Sequence, residues 1–214
     1  FIGMGLGALN GLVIAYGKVA PFIATLATMT IYRGLTLVYT NGNPISGLSD
    51  DPLFQNFGQG FIMGLPVPAL IMLLAFAVSW FILRKTPLGR KIYAVGGNEK
   101  VSFIAGIKIE RVKIFVYAIT GFFCALAGAV LTSRLNSAQP TAGTGYELDA
   151  IAAVVLGGTS LSGGKGYITG TLVGVLIIGT LNNGLNILDV SSFYQQVVKG
   201  IVILLAVLMD RKKA

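Results

Sequence analysis

Long, unbroken apolar runs constrain this chain more than any other feature. Residues 61–83, 114–132 and 167–187 each come near the roughly 20 apolar residues needed to cross a bilayer core. A membrane β-barrel would show short alternating segments instead. Only 11% of the 214 residues are charged, whereas an ordinary soluble domain carries about 25%. The fold class is therefore all-α, a polytopic transmembrane helical bundle.

Further spans are read at 1–17, 21–40 and 194–209, with a short apolar run at 150–157. Gly3, Gly7 and Gly11 recur every four residues, giving the first helix a flat face suited to close packing in lipid. Pro21 suits a helix first turn. Pro66 and Pro68 place the true start of the third helix near themselves. The segment "NGNPISGLSDDPLFQNFGQG" reads as a loop without Lys or Arg. The chain opens "FIGMGLGALNG", with neither an initiator Met nor a signal-peptide n-region, so a preceding N-terminal portion is expected.

The net charge of +8 lies between the apolar runs, as membrane orientation requires and nucleic-acid binding does not. Segment 84–113 holds eight of the sixteen Lys and Arg residues. With that segment in the cytoplasm, Lys18, Lys165, Arg211, Lys212 and Lys213 fall on the same side, provided that a short or broken helix near 148–160 crosses. Six or seven crossings result, with the C-terminus cytoplasmic. Asp50, Asp51 and Asp189 then lie outside with Arg134, while Arg33 and Lys199 lie within spans. An Arg near a bilayer centre costs about 2.5–3.5 kcal/mol on insertion scales, so Arg33 should snorkel, pair or face a cavity.

The chain has no His and a single cysteine, Cys124. That removes most zinc, haem and Cys/His-triad chemistry and any disulfide within one chain. An integral-membrane enzyme would need clustered Ser/His/Asp or metal ligands, and none stand together. An ion-coupled secondary transporter would need an intramembrane acid or His, and no acid lies deep in a clear span. "GGTSLSGGKG" is no phosphate loop, because Thr159 and Gly166 occupy positions that GxxxxGK[ST] gives to Gly and Ser/Thr. It reads as a flexible cytoplasmic turn.

Three polar features are candidate sites. Thr25, Thr28, Tyr32 and Thr36 share one helical face; they either line a pathway for a hydrogen-bonding solute or bond between helices. Thr144 or Gly145 caps a short helix with Glu147 and Asp149 in its first turn, complementing the helix dipole. In transporters, half-helices of this kind place polar ends near the pathway; here a loop feeding a packed helix is the plain alternative. "LNNGLN" brings Asn182, Asn183 and Asn186 near the outer end of a span, where they form either a polar mouth or an interfacial cap.

"GGNEKVSFIAG" encodes a short cytoplasmic helix. Asn98 is a favoured N-cap, Glu99 follows on the favourable side of the dipole, and Gly106 is a natural stop. Val101, Ile104 and Ala105 form one apolar stripe. About seven residues cannot hold a helix alone in water, so this one needs a surface: membrane lipid or a cytoplasmic partner.

"AVGGNEKVSFIAGIKIERVKI", "NSAQPTAGTGYELDAIAAVVLGGTSLSGGKG" and "LNNGLN…VSSFYQQVVKGIVILLAVL" resemble the permease subunits of bacterial ATP-binding-cassette sugar importers. The resemblance covers essentially the whole chain. It implies a single permease domain over 1–214, used as two copies in the bacterial inner membrane. It further implies an ATP-binding subunit inside, a periplasmic sugar-binding protein outside, and no cofactor on this chain, since the ATP is used by the other subunit. The cargo it implies is ribose, with xylose, galactose or a signalling sugar as alternatives. Segment 84–113 matches the family's coupling loop, with Asn98, Glu99, Lys100, Val101, Phe103, Ile104 and Gly106 as contacts. In that comparison Glu99 and Gly106 align with a Glu-Ala-Ala…Gly pattern. Lys100 and Val101 replace the alanines, and the spacing is one residue longer. Read from the residues themselves, the hydroxyl face of Thr25, Thr28, Tyr32 and Thr36 and the asparagines Asn182 and Asn186 are the expected translocation pathway.

Overall fold

The computed structural model describes residues 1–48 and 51–211; Asp50, Lys212 and Lys213, used above for sidedness, lie outside them. Ten helices account for most of the described chain, with four two-residue strands. The described residues cluster into two compact units, Phe1–Val78 with Lys100–Ala142, and Ser79–Glu99 with the chain from Gly143 on.

The first unit is built on α1 (Ile2–Gly17) and α7 (Ile109–Leu135), which pack antiparallel. A Cβ on Gly7 would meet the Tyr117 carbonyl, and one on Gly11 the Cα of Ile114. Gly121 answers from α7, where a Cβ would meet the Gly3 carbonyl. The four-residue glycine spacing thus brings two backbones together, as expected of a small-residue face. α7 has 27 residues and is about 40 Å long at 1.5 Å per residue, so it exceeds a bilayer core of about 30 Å. It ends where Asn136 turns left-handed at φ 46° and donates its N–H to Ser133 O and Thr132 O. α2 (Pro21–Thr40) also belongs to this unit.

The stretch after α2 is more ordered than the loop expected from sequence. β1 (Ile45–Ser46) pairs antiparallel with β4 (Ser137–Ala138). α3 (Pro52–Gln59) starts with Asp51 accepting from Leu53 N at 2.9 Å and Pro52 in the first turn. It lies against the end of α7. Ser133 Oγ donates to Phe54 O, Gln59 Nε2 donates to Arg134 O at 3.1 Å, and Gly58 has no room for a Cβ beside Ser133. Residues 61–66 are not helical. β2 (Phe61–Ile62) and β3 (Leu65–Pro66) form a hairpin around Met63 and Gly64, both at positive φ. α4 (Val67–Lys85) follows, so the third helix does begin at the prolines.

The second unit contains α5 (Pro87–Gly97), α8 (Tyr146–Leu156), α9 (Ile168–Ile187) and α10 (Ser192–Arg211). α6 (Glu99–Ile104) starts at the end of this part of the chain. α8 and α9 pack antiparallel through glycines: Gly170 faces the Gly157 carbonyl and Gly174 the Ala153 carbonyl, with no space for a Cβ at either. Ala152, Ala153 and Ile178 form the buried cluster at this seam, with Val175 and Val202 against it.

Among the described residues, four helices are long and apolar enough to cross a membrane: Pro21–Thr40, Val67–Lys85, Ile109–Leu135 and Ile168–Ile187. Their outer faces are hydrocarbon, with Leu73, Leu74, Phe81, Leu176 and Ile177 all exposed. An exposed apolar surface of this extent suits lipid as its solvent. The protein is an all-α, multi-pass membrane bundle.

Candidate functional site

The basic segment forms two helices, not one. Thr86 caps α5, accepting from Gly89 N at 3.3 Å while its hydroxyl donates to Ile82 O at 2.7 Å. Pro87 sits in the first turn. The Thr-Pro pair signals a helix start, yet the sequence reading gave this stretch no helix. Arg90 and Lys91 are exposed on α5. Asn98 closes α5 in an extended conformation and leads directly into α6.

α6 ends with the two hydrogen bonds of a Schellman motif. Ile107 N donates to Ser102 O at 3.0 Å and Gly106 N to Phe103 O at 2.9 Å, with Gly106 at φ 79°. Gly106 is thus the stop read from sequence. Ser102 is the buried residue of the helix. Val101, Phe103 and Ile104 are 61%, 70% and 85% exposed. Three large apolar side chains on so short a helix, beside exposed Glu99 and Lys100, form a projecting surface.

The turn 157–166 is docked, which corrects its reading as a flexible turn. Gly163 and Gly164, at φ 88° and 73°, come backbone to backbone against Gly96 and Gly97. A Cβ on Gly163 would meet the Gly96 carbonyl, and one on Gly164 the Cα of Gly97. Tyr93 Oη donates to Gly166 O at 3.0 Å. The two Gly-Gly pairs, 67 positions apart in sequence, clip the end of α5 to the α8–α9 turn. Beside this clip a cavity of about 250 Å³ is lined by Trp80, Leu83, Arg84, Tyr93, Tyr167 and Ile168, among others.

The hydroxyl stripe lies in the first unit. Thr25 Oγ1 donates to Pro21 O at 2.9 Å, Thr28 Oγ1 to Ala24 O at 3.1 Å and Thr36 Oγ1 to Tyr32 O at 2.9 Å. Each threonine therefore bonds back to its own helix. Tyr32 Oη alone reaches another helix, donating to Leu6 O at 3.4 Å.

The asparagines lie in the second unit, in a polar cluster that sequence reading had only in pieces. Asp149 stands in the first turn of α8, as expected, and its Oδ2 is 2.8 Å from Lys199 Nζ of α10. The same oxygen accepts from Asn182 Nδ2 of α9 at 3.4 Å. Asn186 Oδ1 accepts from Gln195 Nε2 at 2.8 Å, a nitrogen that also donates to Val190 O. α8 is capped by Gly145, whose N–H donates to Glu147 Oε2 at 3.1 Å. Asp149 and Lys199 are 50 residues apart, so no local periodicity could have paired them. The available hint was a lone Lys in an apolar span, which needs a partner. Among the described residues no group of three His, Cys, Asp or Glu side chains could hold a metal ion.

Comparison with known proteins places these features in a family. The model of the family described as branched-chain amino acid transport system / permease component matches residues 1–207. The chain is 70% identical over 205 residues to the ribose import permease protein of Bacillus subtilis, covering 96% of this chain and 64% of that protein. It is 59% identical over 211 residues to the ribose import permease protein of Haemophilus influenzae, covering 98% and 65%. It is 46% identical over 210 residues to the D-allose transport system permease protein of Escherichia coli, covering 98% and 64%. The chain thus spans just under two thirds of the length of these relatives. No solved structure matches it. With the family model covering nearly all of its residues, the chain belongs to the permease components of the branched-chain amino acid transport system family.

Proposed function

We propose that this chain is the membrane-spanning permease part of an ATP-driven importer that carries a monosaccharide, ribose, across the bacterial inner membrane. The observation that carries the reading is the 70% and 59% identity to two ribose import permeases over nearly the whole chain. The chain acts as one permease domain, paired with a second copy, with its C-terminus in the cytoplasm. A separate ATP-binding subunit uses the ATP, a periplasmic binding protein delivers the sugar, and this chain holds no cofactor.

Residues 84–113 form the coupling segment in this proposal, with Asn98, Glu99, Lys100, Val101, Phe103, Ile104 and Gly106 at the ATPase contact. The projecting apolar side chains of α6 support the role, because such a surface gains by being covered. Thr25, Thr28, Tyr32, Thr36, Asn182 and Asn186 face the solute pathway. The relative named for D-allose favours a second reading, the same machine with another sugar.

Uptake of labelled ribose by the full-length complex, with unlabelled ribose, allose, xylose and galactose as competitors, tests the cargo. Ribose should compete best; stronger competition by another sugar reassigns it. Glu99→Arg with Val101→Arg should abolish uptake. Normal uptake by that variant, with the ATPase subunit bound as usual, would remove the coupling role.

A further inference from the structure

The Asp149–Lys199–Asn182 cluster carries a role that similarity does not assign. It gathers one carboxylate, one ammonium and one amide from three helices of an apolar bundle. An ionisable side chain in such a place is costly and marks a functional site by default. The pair is partly shielded, with the Lys199 and Asp149 side chains 26% and 19% exposed. Its hydrogen bonding is incomplete in a particular way. Asn182 must aim its amide nitrogen at Asp149 Oδ2, because the opposite flip would set oxygen against oxygen. The carbonyl end, Asn182 Oδ1, is then buried with no hydrogen-bond partner. Lys199 has three N–H donors, and among the described residues its ammonium bonds only to Asp149.

An unfilled acceptor and unfilled donors thus flank the same carboxylate oxygen. A hydroxyl is both donor and acceptor, so one hydroxyl satisfies Asn182 Oδ1 while receiving an N–H from Lys199. A sugar presents such groups on adjacent carbons. A simple clip between helices would need only the ion pair, and an unmet buried acceptor, of which Asn10, Asn136 and Ser137 hold others, costs stability.

We propose that Asp149, Asn182 and Lys199 form a binding station for the hydroxyls of the transported sugar. Lys199 donates, Asn182 Oδ1 accepts, and Asp149 holds both in position. The inference rests on the reading of the chain as a sugar permease.

The test uses the full-length permease in its complex, measuring uptake of radiolabelled ribose, binding of the ATPase subunit and thermal stability. Asn182→Leu removes an unmet buried acceptor together with the long 3.4 Å bond to Asp149 Oδ2, so stability should change little. KM for ribose should nonetheless rise by about tenfold, as loss of a hydrogen bond at a shielded charged site implies. The double variant Asp149→Asn with Lys199→Met should assemble normally and still show a KM raised at least as much. Wild-type KM in Asn182→Leu, or in the double variant, would overturn the station and leave a structural ion pair or a water-filled gap. If the double variant fails to assemble, Asn182→Leu decides alone. No ribose uptake by the wild-type complex would instead overturn the sugar-permease reading, whatever the variants do.

Discussion

Two close helix pairs among the described residues are built alike and differ in their polar bonding. In the first unit, α1 and α7 meet through Gly3, Gly7, Gly11 and Gly121, backbone against backbone. In the second, α8 and α9 meet through Gly157, Gly170 and Gly174, but α8 begins in a charged cluster with α9 and α10. In lipid, hydrophobic burial does not drive helices together, so close approach and polar bonding must hold them. The first pair relies on close approach. The second adds an ion pair whose desolvation is costly, and a group kept at such cost points to function.

The largest effect expected from this contrast is at the first seam. Gly7→Leu must displace backbone atoms of α7 and should cost about 3 kcal/mol or more, preventing recovery of folded protein on size-exclusion chromatography. Gly5→Leu on the same helix meets nothing within 4 Å and should fold normally. Equal behaviour of the two would dissolve the seam. Next comes the ion pair. Lys199→Met alone leaves Asp149 uncompensated and should lower stability by about 3 kcal/mol. Adding Asp149→Asn should restore most of that loss, which a thermal-unfolding cycle in detergent measures.

The clip between α5 and the α8–α9 turn ranks third. Gly163→Ala and Gly164→Ala each place a Cβ at positive φ and against α5, costing roughly 1–2 kcal/mol. Ribose uptake should fall further than complex yield does. A parallel fall in both would make the clip scaffolding only. The smallest effect is on α2. Thr25→Ala loses a bond within its own helix and should change stability by less than about 0.5 kcal/mol. Any fall in uptake would then mark the pathway.

The same contrast shows what could be read from sequence. α2, α4, α7 and α9 announced themselves as apolar runs, and the glycine face of α1 was visible in its spacing. α3 and α5 were missed, although Asp51-Pro52 and Thr86-Pro87 are cap-and-proline starts; both are short, and hydropathy does not report them. The β1–β4 pairing is too brief to leave a pattern. Of the polar cluster, Asp149, Asn182 and Lys199 were each noticed, but three separate helices supply them and only packing joins them. "GGN" and "GGKG" were likewise seen and not connected, because glycine marks a possible close approach without naming its partner.

The proposed function requires sugar to move only when a separate subunit uses ATP. Sealed vesicles containing the full-length permease with its ATPase subunit, and given the binding protein loaded with labelled ribose, test it directly. Ribose should accumulate with magnesium and ATP and not without nucleotide. Accumulation driven by an ion gradient in the absence of ATP would contradict it.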